Sequence, residues 1–137
     1  MNPKPLLVTA ALIQRDEKIL IARRRLTDKV EAGKWEFPGG KVEFGERPED
    51  CLVREIKEEL DLDVSVEKLF DVASHVYDLG VSKLHVVLVC YLCHYEAGEM
   101  RPVHVEEAKW VTRAELNDFD WAAADVPVVE KLLTLEA

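Results

Sequence analysis

The sequence predicts an α/β fold in which a mixed β-sheet is flanked by helices. Three observations support this prediction: β-type runs precede a central amphipathic helix, two longer β-type runs follow it, and helical patterns end the chain. Strands and helices in this order are expected to share one layered core. At 137 residues, the chain is expected to form a single domain spanning residues 1–137.

The first predicted elements form a hairpin. Residues 6–13 are a β-type run, residues 15–18 are a polar turn, and residues 19–22 form a second run. A polar loop then leads to a short extended segment at residues 35–37, which Pro38-Gly39-Gly40 ends.

The central helix is predicted over residues 48–60. Pro48 suits the first helical turn, where its missing N–H removes no hydrogen bond. Leu52, Ile56 and Leu60 recur at i, i+4 and i+8, so we expect this apolar stripe to face the core.

The second half of the chain is predicted to add strands at residues 64–77, 82–95 and 108–111. Residues 112–115 read Thr-Arg-Ala-Glu, a capping-box pattern that predicts the start of a short helix. A last helix is expected over residues 122–135.

The three cysteines, Cys51, Cys90 and Cys93, suggest no disulfide framework because their number is odd. Cys90 and Cys93 have the spacing of half a zinc site, but His94 is the only close helper and a complete site needs four ligands. Residues three apart on a strand point to opposite faces, which favours two separately packed thiols in a reducing compartment.

Charge and hydropathy restrict the partners. The net charge of -9 argues against a nucleic acid polymer, although a small nucleotide remains compatible with local arginines and metal ions. No apolar run approaches the ~20 residues that span a bilayer, and the N-terminal stretch lacks a signal-peptide cleavage pattern. We therefore expect no membrane partner and a cytoplasmic location.

The segment Arg54-Glu-Ile-Lys-Glu-Glu59 is the most informative part of the chain. Glu55, Glu58 and Glu59 lie at i, i+3 and i+4, so they share one helical face and repel one another. Mg²⁺ prefers carboxylate oxygens and would compensate this repulsion. The alternative is a solvated face that Arg54 and Lys57 neutralise.

The residues upstream favour the metal site. Residues 35–40 read Trp-Glu-Phe-Pro-Gly-Gly and place a bare backbone loop just before the helix. Paired glycines allow close approach of a ligand to the backbone, so we expect the acidic face to look toward this loop. Loop and helix together predict a site for metal and phosphate.

From Gly40 to Leu62 the chain resembles the Nudix box, whose pattern is Gly-x5-Glu-x7-Arg-Glu-aliphatic-x-Glu-Glu-x-Gly-aliphatic. Every charged position matches, including Glu46. Asp61 occupies the position where the family usually has Gly, which concerns only the geometry of the helix end. The resemblance implies a Nudix-type α/β/α sandwich, in agreement with the predicted mixed sheet.

The resemblance also implies chemistry, because the family hydrolyses nucleoside diphosphates linked to another group. It implies that Glu58 and Glu59 bind Mg²⁺, with Mn²⁺ as a substitute, helped by Glu55 and the carbonyl of Gly39. Glu55 or a downstream carboxylate would accept the proton of the attacking water. Arg54 would orient the glutamates through Glu46, and a simple pair with Glu58 is compatible with that role.

Some relatives use an additional glutamate just before the strand that here contains Trp110. The candidates are Glu106 and Glu107, and a strict offset from Trp110 gives His104 instead. Solvated loop acids are the alternative.

The closest resemblance is to the MutT-type branch, which includes enzymes acting on oxidised nucleoside triphosphates and on cytidine triphosphate. In that comparison Arg24 is the preferred phosphate contact, with Arg23 and Arg25 as alternatives. Phe37 is a candidate for stacking on the base, or else a core residue. Asp125 is a candidate for reading the base, or else a helix N-cap.

Other functions predict other features. ADP-ribose enzymes share a proline downstream of the box, and none occurs between Pro48 and Pro102. Dinucleoside polyphosphate enzymes tend to carry a tyrosine there, and Tyr77 lies near that position. A non-catalytic nucleotide-binding module would lack box glutamates, and all are present. The expected ligand is a small nucleotide, and the protein is expected to be a monomer or a homodimer.

Overall fold

A computed structural model describes residues 4–135. Seven strands and two α-helices follow one another along these residues: β1 Leu6–Arg15, β2 Lys18–Arg23, β3 Trp35–Glu36, β4 Gly39–Lys41, α1 Pro48–Leu60, β5 Asp63–Asp78, β6 Lys83–Ala97, β7 Glu107–Thr112 and α2 Val126–Thr134. Two 3₁₀ turns, Arg113–Asp118 and Ala123–Asp125, separate β7 from α2.

The strands form one mixed sheet in the order β3-β2-β1-β6-β5, with β4 paired to β1 and β7 paired to β2. The central pair, β1 and β6, is parallel, whereas the other strand pairs are antiparallel. The predicted mixed sheet is therefore confirmed. Pairing of Thr9 with Gly40 brings β4 beside the middle of β1, and this pairing places the glycine loop at the site described below.

Helices cover both faces of the sheet and give an α/β/α sandwich. On one face α1 buries Leu52, Ile56 and Leu60 completely, as the apolar stripe predicts. The other face packs against α2 and buries Cys90, while Cys93 lies in the core beneath α1. The two thiols thus point to opposite faces, as the strand pattern predicts, and both are free.

Helix α1 has the predicted bounds, and its C-terminal end explains the departure from the family motif. Asp61 adopts the left-handed conformation, with φ of 57° and ψ of 35°. Its N–H donates to the carbonyl of Lys57 at 3.0 Å. Asp therefore takes the backbone conformation for which Gly is usually selected, at a modest steric cost.

Two elements differ from the prediction. The last helix begins at Val126 rather than at residue 122, because Pro127 has no N–H to donate to the carbonyl of Ala123. Residues 123–125 form a 3₁₀ turn instead. Strand β4 was predicted as a loop, because glycines are depleted in strands and give no strand signal.

No helix within residues 4–135 combines the length and the apolar character needed to cross a membrane.

Candidate active site

A cleft of about 880 Å³ opens between the glycine loop, helix α1, the loop after β2 and the turn before α2. Its walls contain the two glycines of β4 and the carboxylates of Glu55 and Glu59. Glu36 and Asp125 also line it. The cleft therefore brings together the predicted phosphate end and the predicted base end.

Gly39 and Gly40 permit the close approach of β4 to its neighbours, each for a different reason. A Cβ atom at Gly39 would overlap the backbone carbonyl of Thr9 on β1. A Cβ atom at Gly40 would overlap the carboxylate of Glu55 on α1. The first glycine is required by backbone packing, and the second by the position of a side chain in the cleft.

This difference predicts two separable phenotypes. Gly39→Ala is expected to lower the free energy of unfolding by about 1–3 kcal/mol, because the β1 backbone must move. Gly40→Ala is expected to displace the flexible Glu55 side chain and to lower the hydrolysis rate implied by the motif by about 10²-fold, with a smaller loss of stability. Denaturant unfolding and kcat, measured on both variants, provide the comparison. Equal stability losses and equal activities in the two variants would contradict this distinction.

Arg54 is the centre of an ion-pair network. Its Nε and Nη2 donate to the two oxygens of Glu46 at 2.7 and 2.9 Å. Its Nη1 donates to Glu55 at 2.9 Å and to Glu58 at 3.2 Å. Hydrogen bonds from Arg54 lower the pKa of Glu46 to about 2. Both expected pairings of Arg54, with Glu46 and with Glu58, are therefore observed.

The three box glutamates do not all face the glycine loop as expected. Glu55 lies under Gly40, and Glu59 lines the cleft, but Glu58 is not part of the cleft wall. The Glu58 side chain is 53% exposed and pairs with Arg54. Arg54 thus holds Glu58 at the outer edge of the acidic face.

Glu59 is the cleft carboxylate with the clearest need for a positive partner. Its Oε2 atom is buried, and no hydrogen-bond partner for it lies within residues 4–135. Burial, together with the nearby charges of Glu36 and Glu55, raises the pKa of Glu59 to about 8. A buried carboxylate of this kind needs either a proton or a positive partner.

These donors fit a hard divalent cation. Within the described part of the chain, no three His, Cys, Asp or Glu side chains are already gathered around one metal position. Glu58 pairs with Arg54, which is one reason why the acidic side chains are not gathered around one position. A cation at Glu59 would satisfy its unpaired oxygen, and Mg²⁺ in particular keeps several positions for water and phosphate oxygens.

The raised pKa of Glu59 predicts how the metal-free protein responds to pH. The ordinary pKa of the carboxyl is 4.5, and the folded value is about 8, so the folded state holds this proton where the unfolded state has lost it. The associated stability is present below the ordinary pKa and is lost as pH rises toward 8. We expect Tm measured with a chelator to fall between pH 5 and pH 8, and to fall less in Glu59→Gln. An equal decline in both proteins would contradict the assignment.

A second, partly buried charge group in the cleft consists of Arg24 and Glu36, and the charge of Glu36 is close enough to raise the pKa of Glu59. Arg24 Nη1 donates to Glu36 at 3.0 Å, and Nε donates to the carbonyl of Val30 at 3.0 Å. A longer pair joins Arg24 to Asp28 at 3.7 Å. Burial raises the pKa of Glu36, and the Arg24 charge opposes that rise. Arg24, predicted as a phosphate contact, therefore lies in the cleft wall with its guanidinium held by Glu36.

The alternatives to Arg24 pair with other residues. Arg23 donates to the carbonyl of Gly33 at 2.8 Å and pairs with Glu107. Arg25 also lines the cleft, but it is exposed and pairs with Asp28. A direct phosphate contact by any of the three arginines stays a prediction.

Asp125 is 5% exposed, and its Oδ2 accepts the backbone N–H of Phe37 at 3.0 Å. Burial, together with the neighbouring Glu36, raises the pKa of Asp125 well above its ordinary value. Asp125 stands at the N-cap position of α2, as the alternative predicts, but its side chain makes no capping hydrogen bond to that helix. The carboxyl instead joins the start of α2 to the strand that carries Glu36.

Phe37 is 2% exposed, and its ring stacks on Trp121 with 4.9 Å between centroids. This placement matches the alternative of a core residue. The backbone of Phe37 nevertheless contributes to the cleft by fixing Asp125. Stacking of its ring on a base stays a prediction.

The downstream candidates separate in the structure. His104 lines the cleft, whereas Glu107 pairs with Arg23 at 3.6 Å. Glu106 accepts the backbone N–H of Leu26 at 3.5 Å, which attaches it to the loop after β2. Of the three, only His104 belongs to the cleft wall.

Glu36 was not predicted as a site residue. It lies between Trp35 and Phe37, both buried, and a charged residue enclosed by two buried aromatics in a short strand is a usable signal. Arg24, the pairing partner of Glu36, follows a different strand, so no local sequence pattern joins the two residues.

Comparison with known proteins is consistent with this geometry. A family model described as NUDIX domain matches residues 4–132. The chain is 35% identical over 132 residues to the CTP pyrophosphohydrolase of Escherichia coli (strain K12), covering 95% of this chain and 93% of that protein. It is 31% identical over 132 residues to the 8-oxo-dGTP diphosphatase of the same organism, covering 96% and 99%.

Solved structures give the same result. The crystal structure of a MutT NUDIX hydrolase from Burkholderia pseudomallei superposes with a TM-score of 0.78 and 32% sequence identity. The superposition covers 96% of this chain and 100% of that one. The segment that the family model matches includes every cleft residue described above.

Proposed function

The chain belongs to the NUDIX domain family, and from that premise we propose that it hydrolyses a nucleoside triphosphate to the monophosphate and pyrophosphate. One observation carries the proposal: a buried oxygen of Glu59 with no hydrogen-bond partner among the described residues lies in a cleft that is also lined by the partly buried carboxylate of Glu36 and the buried carboxyl of Asp125. A nucleotide has its phosphates at one end and a hydrogen-bonding base at the other, so it would suit a cleft that combines Glu59 with Asp125.

The phosphate end would hold a divalent cation, which we propose is Mg²⁺ with Mn²⁺ as a substitute. Glu59 would bind it, together with Glu55, Glu58 and the carbonyl of Gly39. When bound, the cation would neutralise charge on the phosphates and lower the pKa of a coordinated water.

The protein residues around this position have distinct tasks. Glu55, fixed by Arg54 at 2.9 Å, would accept the proton of the attacking water. Arg54, fixed in turn by Glu46, would keep the acidic face ordered while Glu55 gains its proton. The packing of Gly40 against Glu55 would hold that carboxylate beside the phosphate chain.

The cleft around Asp125 would suit the polar edge of a nucleobase. One oxygen of Asp125 is occupied by the N–H of Phe37, so its other oxygen remains for a ligand. Because burial favours the protonated form of Asp125, this group would donate as well as accept a hydrogen bond. A cytosine or an oxidised guanine presents both donors and acceptors along one edge, and the two Escherichia coli relatives are named for CTP and 8-oxo-dGTP.

A substrate panel tests the proposal. The purified protein would be assayed with CTP, 8-oxo-dGTP, the ordinary triphosphates, ADP-ribose and a dinucleoside tetraphosphate, with pyrophosphate and orthophosphate measured separately. We expect the highest kcat/KM for a cytidine or 8-oxo-guanine triphosphate, pyrophosphate as product, loss of activity with chelator and recovery with Mg²⁺. A clear preference for ADP-ribose or for the dinucleoside substrate would overturn the proposal.

The setting proposed for this reaction is the cytoplasm. Cys51, Cys90 and Cys93 are buried and unbridged, which suits a reducing compartment. The proposed partner is the small nucleotide alone.

A further inference from the structure

The turn at residues 122–125, which carries Asp125, donates hydrogen bonds to two cleft-wall side chains from distant parts of the chain. Glu31 Oε2 accepts the N–H of Ala123 at 2.8 Å. Tyr77 Oη accepts the N–H of Ala124 at 3.1 Å. N–H groups at the start of a helical turn have no acceptor within the turn, so these two side chains supply the missing partners.

Glu31 is held in an unusual conformation. It lies in the loop after β2 with a φ of 55°, in the left-handed region that residues other than glycine rarely adopt. Its carbonyl accepts the N–H of Lys34 at 3.1 Å, and its side chain reaches Ala123. Strained residues of this kind persist where surrounding contacts determine them, and they concentrate at functional sites.

Tyr77 reaches the same turn from the end of β5, and its side chain lines the cleft. Burial raises the pKa of Tyr77, so the phenol keeps its proton and accepts the Ala124 N–H through its oxygen. Tyr77 is the tyrosine near the position where dinucleoside polyphosphate enzymes tend to carry one, and here its hydroxyl oxygen accepts a backbone N–H.

We propose that Glu31 and Tyr77 are positioning residues that hold the 122–125 turn against the cleft, so that Asp125 discriminates between bases. The inference rests on the proposed function for its consequence in catalysis. Its structural part stands independently, because the two hydrogen bonds fix Ala123 and Ala124 whether or not a nucleotide binds.

The structural part is tested without substrate by amide hydrogen exchange, resolved by residue in NMR spectra. Tyr77→Phe removes the acceptor of the Ala124 N–H, and we expect exchange at Ala124 to accelerate at least about fivefold, the factor for one ordinary hydrogen bond. The matched control is Tyr95→Phe, which also removes one tyrosine hydroxyl bonded to the backbone, at Gly98 and outside the cleft. Unchanged exchange at Ala124 in Tyr77→Phe would overturn the proposal.

The functional part is tested by base discrimination. We expect Tyr77→Phe and Glu31→Ala to raise KM for the best triphosphate about fivefold, to leave kcat within about twofold, and to reduce the kcat/KM ratio between the best and the worst base. Glu31→Gln keeps an oxygen acceptor for Ala123 and should restore the ratio. In a protein that already carries Asp125→Ala, Tyr77→Phe should no longer change that ratio, because its effect acts through Asp125.

The outcomes separate the two proposals. A wild-type protein that cleaves no triphosphate would overturn the proposed function, while the exchange result would still decide whether the turn is fastened as described. Active variants with faster exchange at Ala124 but unchanged base ratios would overturn the positioning role alone. If Asp125→Ala does not fold, rescue by Glu31→Gln, compared with Glu31→Ala, decides the question.

Discussion

Replacing Glu59 with glutamine is expected to lower kcat by about 10³-fold. The change removes the negative charge of the carboxylate whose buried Oε2 atom has no partner among the described residues, and with it an attraction for a divalent cation. Stabilisation of phosphoryl oxygens by a metal ion contributes several kcal/mol, and a loss of about 4 kcal/mol corresponds to this factor. The measurement is steady-state kcat across a titration of Mg²⁺.

The control for this variant is Asp50→Asn, which removes one acid from the same helix. Asp50 is exposed and lies outside the cleft, so its loss should leave kcat unchanged. Glu59→Gln should also fold normally, because an amide at this position does not carry the desolvation cost of a carboxylate. Full turnover by a folded Glu59→Gln protein would refute the assignment of the site.

The part of this site that the sequence predicts well is the part encoded locally. Helix α1, its buried stripe and the spacing of its acids depend on contacts within a few turns, and the helix has the predicted bounds. The pairing of Arg54 with Glu46 adds a contact across only eight residues. Periodicity and motif spacing contain this information.

The part of the cleft around Asp125 depends on contacts that no local pattern encodes. Asp125 meets the backbone of Phe37 across 88 residues, and Glu31 meets Ala123 across 92. Asp125 was selected by family resemblance, whereas Glu31 and Glu36 were not selected at all. The orientation of Glu58 was also missed, since spacing on a helix fixes a direction but not the competing attraction of Arg54.

The start of the last helix shows how such contacts override a local pattern. The apolar spacing of residues 122–135 favours one continuous helix, but Pro127 cannot complete its first turns. The N–H groups of Ala123 and Ala124 bond to Glu31 and Tyr77, because N–H groups in a first helical turn have no preceding helical carbonyl to bond to. Asp125 ends the 3₁₀ turn that replaces this part of the helix, and its carboxyl accepts the N–H of Phe37.

Replacing Asp125 with alanine is therefore expected to have the largest effect at the base end. It leaves the buried N–H of Phe37 without its acceptor, which should lower the free energy of unfolding by about 1–3 kcal/mol. It also removes the carboxyl proposed to hydrogen-bond to the base, so kcat/KM for the best triphosphate should fall about 10²-fold. Denaturant unfolding and the substrate panel measure the two effects.

Asp125→Asn is the matched variant, because its amide oxygen can still accept the Phe37 N–H and its NH₂ group always donates. Burial raises the pKa of the native carboxyl, so the native group donates only while protonated and loses this ability as pH rises through its folded pKa. The kcat/KM of the wild-type protein for its best base should consequently fall with rising pH, whereas Asp125→Asn should lack this component and should keep wild-type stability. A pH dependence of base preference that is identical in both proteins would show that the native carboxyl does not act as a hydrogen-bond donor to the base.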